Sequence, residues 1–385
     1  MTGPGEGCRS WVEVSTGALE RNVRQMRALV GARCLLAPTV KANAYGHGLE
    51  IAAGAFVRAG ADRLCVDSVD EARAIRRAGI ETGIHIMGHV PPPQIPEAMA
   101  LGASFIVLDA ASVEASAAEH ARSGLEARLH VKIETGNQRQ GLDPTDAVAL
   151  ADRIRASAGT ILEGACTHFA NIEDTTDHSF AREQMRIFHE TVGAMRSRGM
   201  EVPVRHISNS AAAILWPEAH MEMARIGIAA YGMWPSTETR VAAMLAGRTG
   251  VSLRPALTWK ARIAQLRRVG AGTSIGYGLT YRTTHPAHLA VVPVGYYDGY
   301  DRGLGNAAHV LAGGVRAPVR GRVCMNMILV DVTDSPSQRQ GDVVVLLGRQ
   351  GEEEIPAEML ASWIGTISYE ITTRIRETLP RTPVP

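Results

Sequence analysis

Apolar and polar positions in the first two thirds of the chain follow two alternating periods. Short apolar runs, such as residues 35–40 and 129–134, have the length of buried strands. Between them apolar residues recur at helical spacing, as in the helix predicted to begin at residues 15–20 and in a long helix over residues 180–198. Strands that alternate with helices indicate a parallel sheet covered on both faces.

The number of these strand–helix units favours a closed barrel. About eight units in about 220 residues fit a TIM-like (β/α)8 barrel, here assigned to residues 13–240. An open doubly wound sheet is the alternative, but no Gly-x-Gly-x-x-Gly run follows the first strand to support it. The predicted strands cover residues 35–40, 63–66, 84–87, 105–108, 129–134, 161–167, 204–208 and 223–228.

The pattern changes near residue 240 to short β-rich runs separated by Gly, Pro and Asp. This predicts a C-terminal, mainly β domain over residues 241–385, which residues 1–12 are expected to join. Only residues 356–378 have a helical pattern there, over 357–364 and 369–378. The β-rich runs are residues 257–263, 289–294, 315–319, 327–332 and 343–347.

Composition excludes several classes of protein. A net charge of +1 over 385 residues gives no electrostatic reason to expect a nucleic-acid or membrane-surface partner. No apolar run approaches the roughly 18 residues of a transmembrane helix. The five cysteines are scattered without a CxxC pair, which predicts reduced thiols and a cytoplasmic location.

Lysine is rare in this chain, and its position is informative. Of the 40 Lys and Arg residues only Lys41, Lys132 and Lys260 are lysine. Lysine can release its proton and form Schiff bases, whereas arginine cannot lose its charge. Lys41 follows a predicted buried strand and precedes a predicted loop rich in Gly, Asn and His, which is a catalytic position in a barrel enzyme. The alternative is a solvated surface charge.

Other polar side chains fall at the same ends of predicted strands. Each alone is more often structural, but their shared position favours an active site. The Asn209-Ser210 pair opens a predicted helix, so it is either a simple N-cap or an anion site. A Schiff-base lysine, an anion site and an arginine together suggest pyridoxal phosphate (PLP). The residues are Tyr45, Lys132, Arg139, His168, Asn209, Ser210, Arg225, Gly227 and Ile228.

These segments resemble the bacterial alanine racemases, with the motifs in family order across nearly the whole chain. In the predicted barrel the matching segments are VKANAYGHG at residues 40–48, THFA at 167–170, NSA at 209–211 and ARIGI at 224–228. In the predicted β domain they are GYGLTY at 276–281, VGYYDG at 294–299, GRVCMN at 321–326 and ISYE at 367–370.

The resemblance implies a two-base PLP racemase that interconverts L- and D-alanine and supplies D-alanine for peptidoglycan. Lys41 would hold PLP and act as base on one face of the substrate, and Tyr277 of the partner subunit would act on the other face in a head-to-tail homodimer. His168, beside Arg225, would assist Tyr277. Without the resemblance, Tyr277 is more simply interpreted as a core aromatic residue of the β domain.

The resemblance also assigns the cofactor and substrate contacts. Arg225 would face the pyridine nitrogen of PLP; as a permanent donor it would keep that nitrogen unprotonated and limit transamination. Arg139 would reach the ring hydroxyl and the substrate carboxylate, and Met325 of the partner subunit would offer its backbone to that carboxylate. The remaining cofactor contacts implied are Tyr45, Asn209, Ser210, Gly227, Ile228 and Tyr369.

Two departures from the family pattern affect the expected substrate. The usual Asp-Thr-Gly-Met-x-Arg-x-Gly run is ETGNQRQG here, at residues 134–141, and Asn326 stands where many members have Asp. Lys132 occupies the position of a lysine that many members carry as a carbamate, which requires a buried, neutral amine.

Three alternatives to a strict alanine racemase stay open. One is a broad-specificity amino-acid racemase of the same fold, and another is a non-catalytic PLP-binding protein, which would not need Tyr277. The third is a metal-assisted PLP lyase acting on D-amino acids. It would need His and Cys ligands in the β domain, but no His/Cys pair follows His309, so no metal is expected.

Overall fold

The structure is a computed structural model that describes residues 7–385. The chain forms two compact units. One contains residues 7–18, 45–51 and 255–385, and the other contains residues 19–44 and 52–254. The second unit therefore extends past the predicted boundary at residue 240, because the helix Thr237–Leu245 belongs to it. Of the residues expected to join the β domain, 1–6 lie outside the described part of the chain.

Eight parallel strands form the unit of residues 19–44 and 52–254. Strand β1 (Ser10–Ser15) belongs to the other unit. The eight are β2 (Leu35–Pro38), β3 (Arg63–Val66), β4 (Gly83–Ile86), β5 (Ala103–Val107), β6 (Ala127–Lys132), β7 (Thr160–Cys166), β8 (Val204–His206) and β9 (Met223–Ile226). Each matches a predicted strand within about three residues.

Hydrogen bonds join these strands into a closed ring, as the sequence predicted. Strands β3 to β8 pair in chain order, and β2 pairs with β9. A bridge between Thr39 and Cys65 links the end of β2 to β3. The amide of Arg225 donates to the carbonyl of Ser208 at 3.3 Å, which joins β9 to the chain that leaves β8. The (β/α)8 prediction is therefore confirmed.

Helices with one apolar face separate the barrel strands. In Val69–Arg77 the buried residues Val69, Ala72 and Ile75 recur every three positions, and Ser68 caps the helix by accepting the amide of Glu71 at 3.2 Å. Within the described residues no helix is both long and apolar enough to cross a membrane. The other helices are Thr16–Val30, Leu49–Arg58, Ile95–Ala100, Ala110–Ser123, Pro144–Ala156, Ser179–Ser197, Ser210–Leu215 and Thr237–Leu245.

The other unit is mainly β, as predicted. Its largest sheet has the strand order β16-β15-β18-β10-β1-β20, with β19 also paired to β18; β11-β14-β17 form a second sheet and β12-β13 a hairpin. The strands are β10 (Leu257–Arg262), β11 (Gln265–Val269), β12 (Ser274–Ile275), β13 (Tyr281–Arg282), β14 (Ala287–Val292), β15 (His309–Ala312), β16 (Val315–Pro318), β17 (Ile328–Asp331), β18 (Val343–Gln350), β19 (Glu353–Ile355) and β20 (Arg381–Val384).

The five predicted β-rich runs are strands, and the two predicted helices are Ala357–Ile364 and Ser368–Thr373. The second helix is shorter than predicted. The core of this unit contains Trp11, Trp259 and Tyr300, all at most 2% exposed, and the indole of Trp259 donates to Ser10 at 2.9 Å. β1 therefore supplies core residues from the opposite end of the chain.

Gly46 provides a test of packing in this unit. Its φ is +83°, and a Cβ there would lie 2.0 Å from the carbonyl oxygen of Thr372. Gly46→Ala is therefore expected to lower the free energy of unfolding by about 3 kcal/mol or more, because strain and overlap combine. Gly365→Ala is the control: its φ is +70° but no atom lies within 4 Å, so a loss of about 1 kcal/mol is expected. Equal losses of unfolding free energy for the two variants, measured in urea titrations, would contradict this expectation.

Candidate active site

Lys41 lies at the carboxyl end of β2, where the sequence placed it. The strand residues before it are buried, whereas the Lys41 side chain is 42% exposed in the single chain. Its Nζ lies 3.8 Å from Oδ1 of Asp67, a residue that follows β3. The amine therefore sits at the end of the barrel where strands present catalytic groups.

The backbone after Lys41 is not the loop that the sequence predicted. Residues 42–45 have φ values of 53–54° and form a turn of left-handed helix, in which the amide of Ala44 donates to the carbonyl of Val40 at 2.8 Å. This conformation costs L-residues roughly 1–2 kcal/mol each. Strain of this kind persists only where the surrounding structure enforces it, and it concentrates at functional sites.

The carboxylate of Glu71 enforces part of this geometry. It accepts the amide of Ala42 at 2.8 Å and the amide of Asp67 at 2.7 Å. One side chain thereby holds the backbone on both sides of the Lys41–Asp67 pair. Sequence reasoning did not identify Glu71; its one available signal was a place in the first turn of the helix after β3.

The Asn209-Ser210 pair has two separate roles in the barrel. The Oδ1 of Asn209 accepts the amide of Ala212 at 2.9 Å, which is the simple N-cap alternative. Ser210 Oγ instead accepts the amides of Gly227 and Ala229, at 3.0 and 3.3 Å. The Ser210 hydroxyl proton has no acceptor among the described residues and is available to an anion.

Arg225 projects from β9 as a buried cation. Its Nη2 donates to the carbonyl of Thr167 at 2.8 Å, and Nη1 donates to the carbonyl of His206 at 3.1 Å and to the ring Nδ1 of the same histidine. The Nε–H has no partner within the described part of the chain. Nη2 also lies 3.4 Å from the carbonyl oxygen of Ile207 and from Nδ1 of His168, so these contacts orient the guanidinium and leave the Nε–H for a ligand.

His168 lies beside Arg225, as expected. Its Nδ1 is 3.4 Å from Nη2 of Arg225. Burial, followed by the charge of Arg225, lowers the pKa of His168 well below its usual value. His168 is therefore neutral at physiological pH.

Lys132 and Arg139 have different surroundings. The Nζ of Lys132 donates to Oε1 of Gln140 at 3.0 Å, and burial lowers the pKa of Lys132. Arg139 is exposed and has no ion pair or hydrogen bond among the described residues. Gln140 belongs to the ETGNQRQG run but occupies a position at which the family pattern allows any residue.

The mainly β unit presents its own candidate residues. Tyr45, at the end of the left-handed turn, lies with its ring centroid 6.0 Å from that of Tyr369. Tyr277 is 73% exposed and Met325 is 55% exposed in the single chain. The core-aromatic alternative for Tyr277 is therefore wrong.

Sequence reasoning also missed three buried histidines in the barrel strands. His85, His130 and His206 lie on β4, β6 and β8, and their ring nitrogens fall within 4.8 Å of one another. A signal was present, because each histidine is a polar residue within a predicted buried strand. His206 contacts Arg225 directly and so belongs to the candidate site.

This architecture, with a lysine at a barrel strand end and a mainly β second unit, defines a two-domain barrel enzyme. Residues 14–235 match the family model "Alanine racemase, N-terminal domain", and residues 256–383 match "Alanine racemase, C-terminal domain". The chain belongs to the alanine racemase family and is an isomerase, and this family is generally PLP-dependent.

Individual relatives cover nearly the whole chain. An alanine racemase of Leptospira interrogans is 38% identical over 97% of this chain and 95% of its own, and one of Symbiobacterium thermophilum is 40% identical over 97% and 96%. The solved alanine racemase of Streptomyces lavendulae has a TM-score of 0.91 at 34% identity, covering 98% of this chain and 97% of its own. That of Bacillus anthracis with bound L-Ala-P has 0.90 at 32%, covering 98% and 95%.

The buried histidines predict a loss of stability in acid. Burial lowers the pKa of His85, His130, His168 and His206 in the folded chain, so below pH ~6.5 the unfolded chain binds protons that the folded chain does not. The free energy of unfolding should fall with decreasing pH by about 1.4 kcal/mol per pH unit for each histidine.

Urea titrations between pH 8 and pH 5 measure this slope. In the His85→Gln variant the difference in bound protons between the unfolded and folded chains should be smaller by about one, so the slope should be less steep by about 1.4 kcal/mol per pH unit. The control His285→Gln, at an exposed position, should not change it. An equal slope for His85→Gln and the unaltered chain would contradict the assignment.

Proposed function

We propose that this protein interconverts L- and D-alanine with PLP by a two-base mechanism, supplying D-alanine for peptidoglycan. The observation that carries the proposal is the arrangement at the carboxyl ends of the barrel strands. An amine at Lys41, a free hydroxyl proton at Ser210 and a free N–H on buried Arg225 occur together there. These are a covalent attachment point, an anion donor and a donor for a ring nitrogen.

The donor set fits PLP. When bound, PLP supplies an aldehyde that captures the substrate amine and a ring that draws electrons from Cα. Lys41 would attach it and Arg139 would reach its ring hydroxyl. The contact of Asn209 with the cofactor stays a prediction. The Asn209 side chain caps the helix and donates to Glu173 at 2.7 Å. The proposed phosphate contacts are Tyr45, Ser210, the backbone of Gly227 and Ile228, and Tyr369.

Arg225 would determine the type of reaction. Its free Nε–H would donate to the ring nitrogen, and arginine does not give up its proton. The nitrogen would then stay unprotonated and withdraw electrons less strongly. We expect this to favour return of a proton to Cα over transamination.

Two bases on opposite faces of Cα would complete the inversion. Lys41 would act on one face and Tyr277 of the partner subunit on the other, in a homodimer with shared sites. The exposure of Tyr277 supports this proposal, because an aromatic side chain left in solvent is available to a second copy of the chain. Neutral His168, next to Arg225, would assist Tyr277.

The substrate carboxylate would be held by Arg139 and by the backbone of Met325 of the partner subunit. We further propose that Lys132 is carbamylated and orients Arg139. The half-buried position of Lys132 and its lowered pKa support this modification, because carbamate formation needs a neutral amine. In the unmodified chain Gln140 is its partner.

A direct test measures exchange at Cα. The PLP-loaded protein is incubated in D2O with a panel of single L-amino acids, and deuterium incorporation and optical rotation are followed. Deuterium uptake with loss of optical rotation for alanine alone supports the proposal. Activity on several amino acids would instead support a broad-specificity racemase, and no exchange would reject both. Lys41→Ala is the negative control.

Shared sites predict complementation between two inactive variants. Lys41→Ala and Tyr277→Phe are each expected to lose about 10²-fold or more in kcat. After subunit exchange, half of the dimers are mixed and one of their two sites has both bases, so about a quarter of the unaltered activity should return. If Tyr277 acted within its own chain, no activity would return. A mixture of Lys41→Ala with a Lys41→Ala/Tyr277→Phe double variant, in which no site can have both bases, controls for nonspecific rescue.

A further inference from the structure

We propose that Glu163 is a positioning residue that acts on Arg225 through two neutral histidines. Glu163 lies on β7, and a chain of hydrogen bonds runs from it through His130 and His206 to Arg225. This relay, defined as Arg225, His206, His130 and Glu163, would fix the proton positions on both rings. The effect of the relay on catalysis rests on the proposed function. The proton positions on the two histidine rings follow from the hydrogen bonds of the relay and do not depend on that function.

The contacts of the relay form a continuous chain that is buried at Arg225 and both histidines and partly buried at Glu163. Nη1 of Arg225 contacts Nδ1 of His206, and Nε2 of His206 lies 2.9 Å from Nδ1 of His130. Nε2 of His130 lies 2.8 Å from Oε2 of Glu163, which also pairs through both oxygens with Arg63 at 2.8 Å. Both histidines are 0% exposed.

The two ends of the relay determine its direction. Arginine only donates, so Nδ1 of His206 accepts and its proton is on Nε2. That proton is donated to Nδ1 of His130, whose own proton is then on Nε2 and is donated to Glu163. Hydrogen bonds from His130 and Arg63 lower the pKa of Glu163 against its burial, so it is an ionised acceptor. Both ends require the same pair of tautomers.

A metal ion does not suit these histidines, although His85 joins them in one cluster. Two nitrogens on one zinc ion are about 3.3 Å apart, given Zn–N bonds of about 2.0–2.1 Å in tetrahedral geometry. The nitrogens of His130 and His206 are 2.9 Å apart, which is a hydrogen-bond distance. The charge of Arg225 next to His206 also opposes a second cation there.

The relay would supply Arg225 with a distant counter-charge. Arg225 has no ion pair with a carboxylate among the described residues, and its contacts are carbonyls and rings. Every relay proton points toward Glu163, so the negative charge polarises both rings and makes Nδ1 of His206 a stronger acceptor. Arg225 is thereby held in one orientation, with its Nε–H left for the cofactor.

Replacing Glu163 with glutamine creates a conflict that a second substitution removes. If the amide oxygen faces His130, the amide nitrogen faces Arg63, donor against donor. If the amide is flipped, it donates to His130, and the reversed tautomers then place an N–H of His206 against Arg225. Arg63→Met together with Glu163→Gln lets the oxygen face His130 without opposition.

The first experiment observes the protons by ¹⁵N–¹H NMR of histidine-labelled protein, with resonances assigned from His130→Gln and His206→Gln variants. In the unaltered protein both rings should carry one proton, on Nε2, from pH 6 to pH 9. Glu163→Gln should change the two ring patterns or broaden them, and Arg63→Met/Glu163→Gln should restore them. A proton on Nδ1 of either ring in the unaltered protein would overturn the proposal, whether or not the protein racemises alanine.

The second experiment separates positioning from stability. Glu163→Gln should lower kcat about tenfold with KM changed by less than about twofold, and the double variant should recover most of that loss. Glu222→Gln is the matched control: Glu222 also pairs with an arginine, Arg205, through both oxygens, and contacts none of the three histidines. Equal losses in the single and double variants, or the same kcat loss in Glu222→Gln, would overturn the proposal.

Discussion

The structure of the barrel depends on one constraint, the burial of the Arg225 charge. An isolated cation inside a protein is strongly unfavourable unless it is fully hydrogen-bonded. Carbonyls of the chain after β7 and β8, together with the ring of His206, provide those bonds. The same contacts that make burial possible also hold the guanidinium in a single orientation. The stability of the barrel and the geometry of its candidate site therefore depend on the same hydrogen bonds.

Because the charge of Arg225 is buried in the barrel, the buried histidines near it are neutral. A second positive charge beside Arg225 would be repelled, and burial alone already disfavours the protonated rings. The rings therefore serve as directional donors and acceptors. This explains why a strongly buried barrel interior contains four histidines without conflict, and why their protonation would destabilise the fold in acid.

Lys41 illustrates a second, local constraint. Its amine leaves the barrel at a left-handed turn, which is unfavourable for alanine and asparagine and requires support. Glu71 provides it by accepting two backbone amides, one on each side of the Lys41–Asp67 pair. In the mainly β unit, Tyr277 is the opposite case, because 73% of the residue is exposed in the single chain.

The sequence by itself determined the (β/α)8 barrel, the mainly β unit and the lysine at the end of β2, because these depend on local periodicity and on residue types that are unusual where they occur. It also left two alternatives for the Asn209-Ser210 pair; the structure shows that Asn209 caps the helix by accepting the amide of Ala212, and the anion contact stays a prediction. The tertiary structure alone decided the left-handed turn, the two hydrogen bonds by which Glu71 supports it, and the chain of contacts from Arg225 to Glu163. These features join residues of different strands and helices, so their physical cause, a hydrogen bond between groups distant in sequence, leaves no periodic signal along the chain.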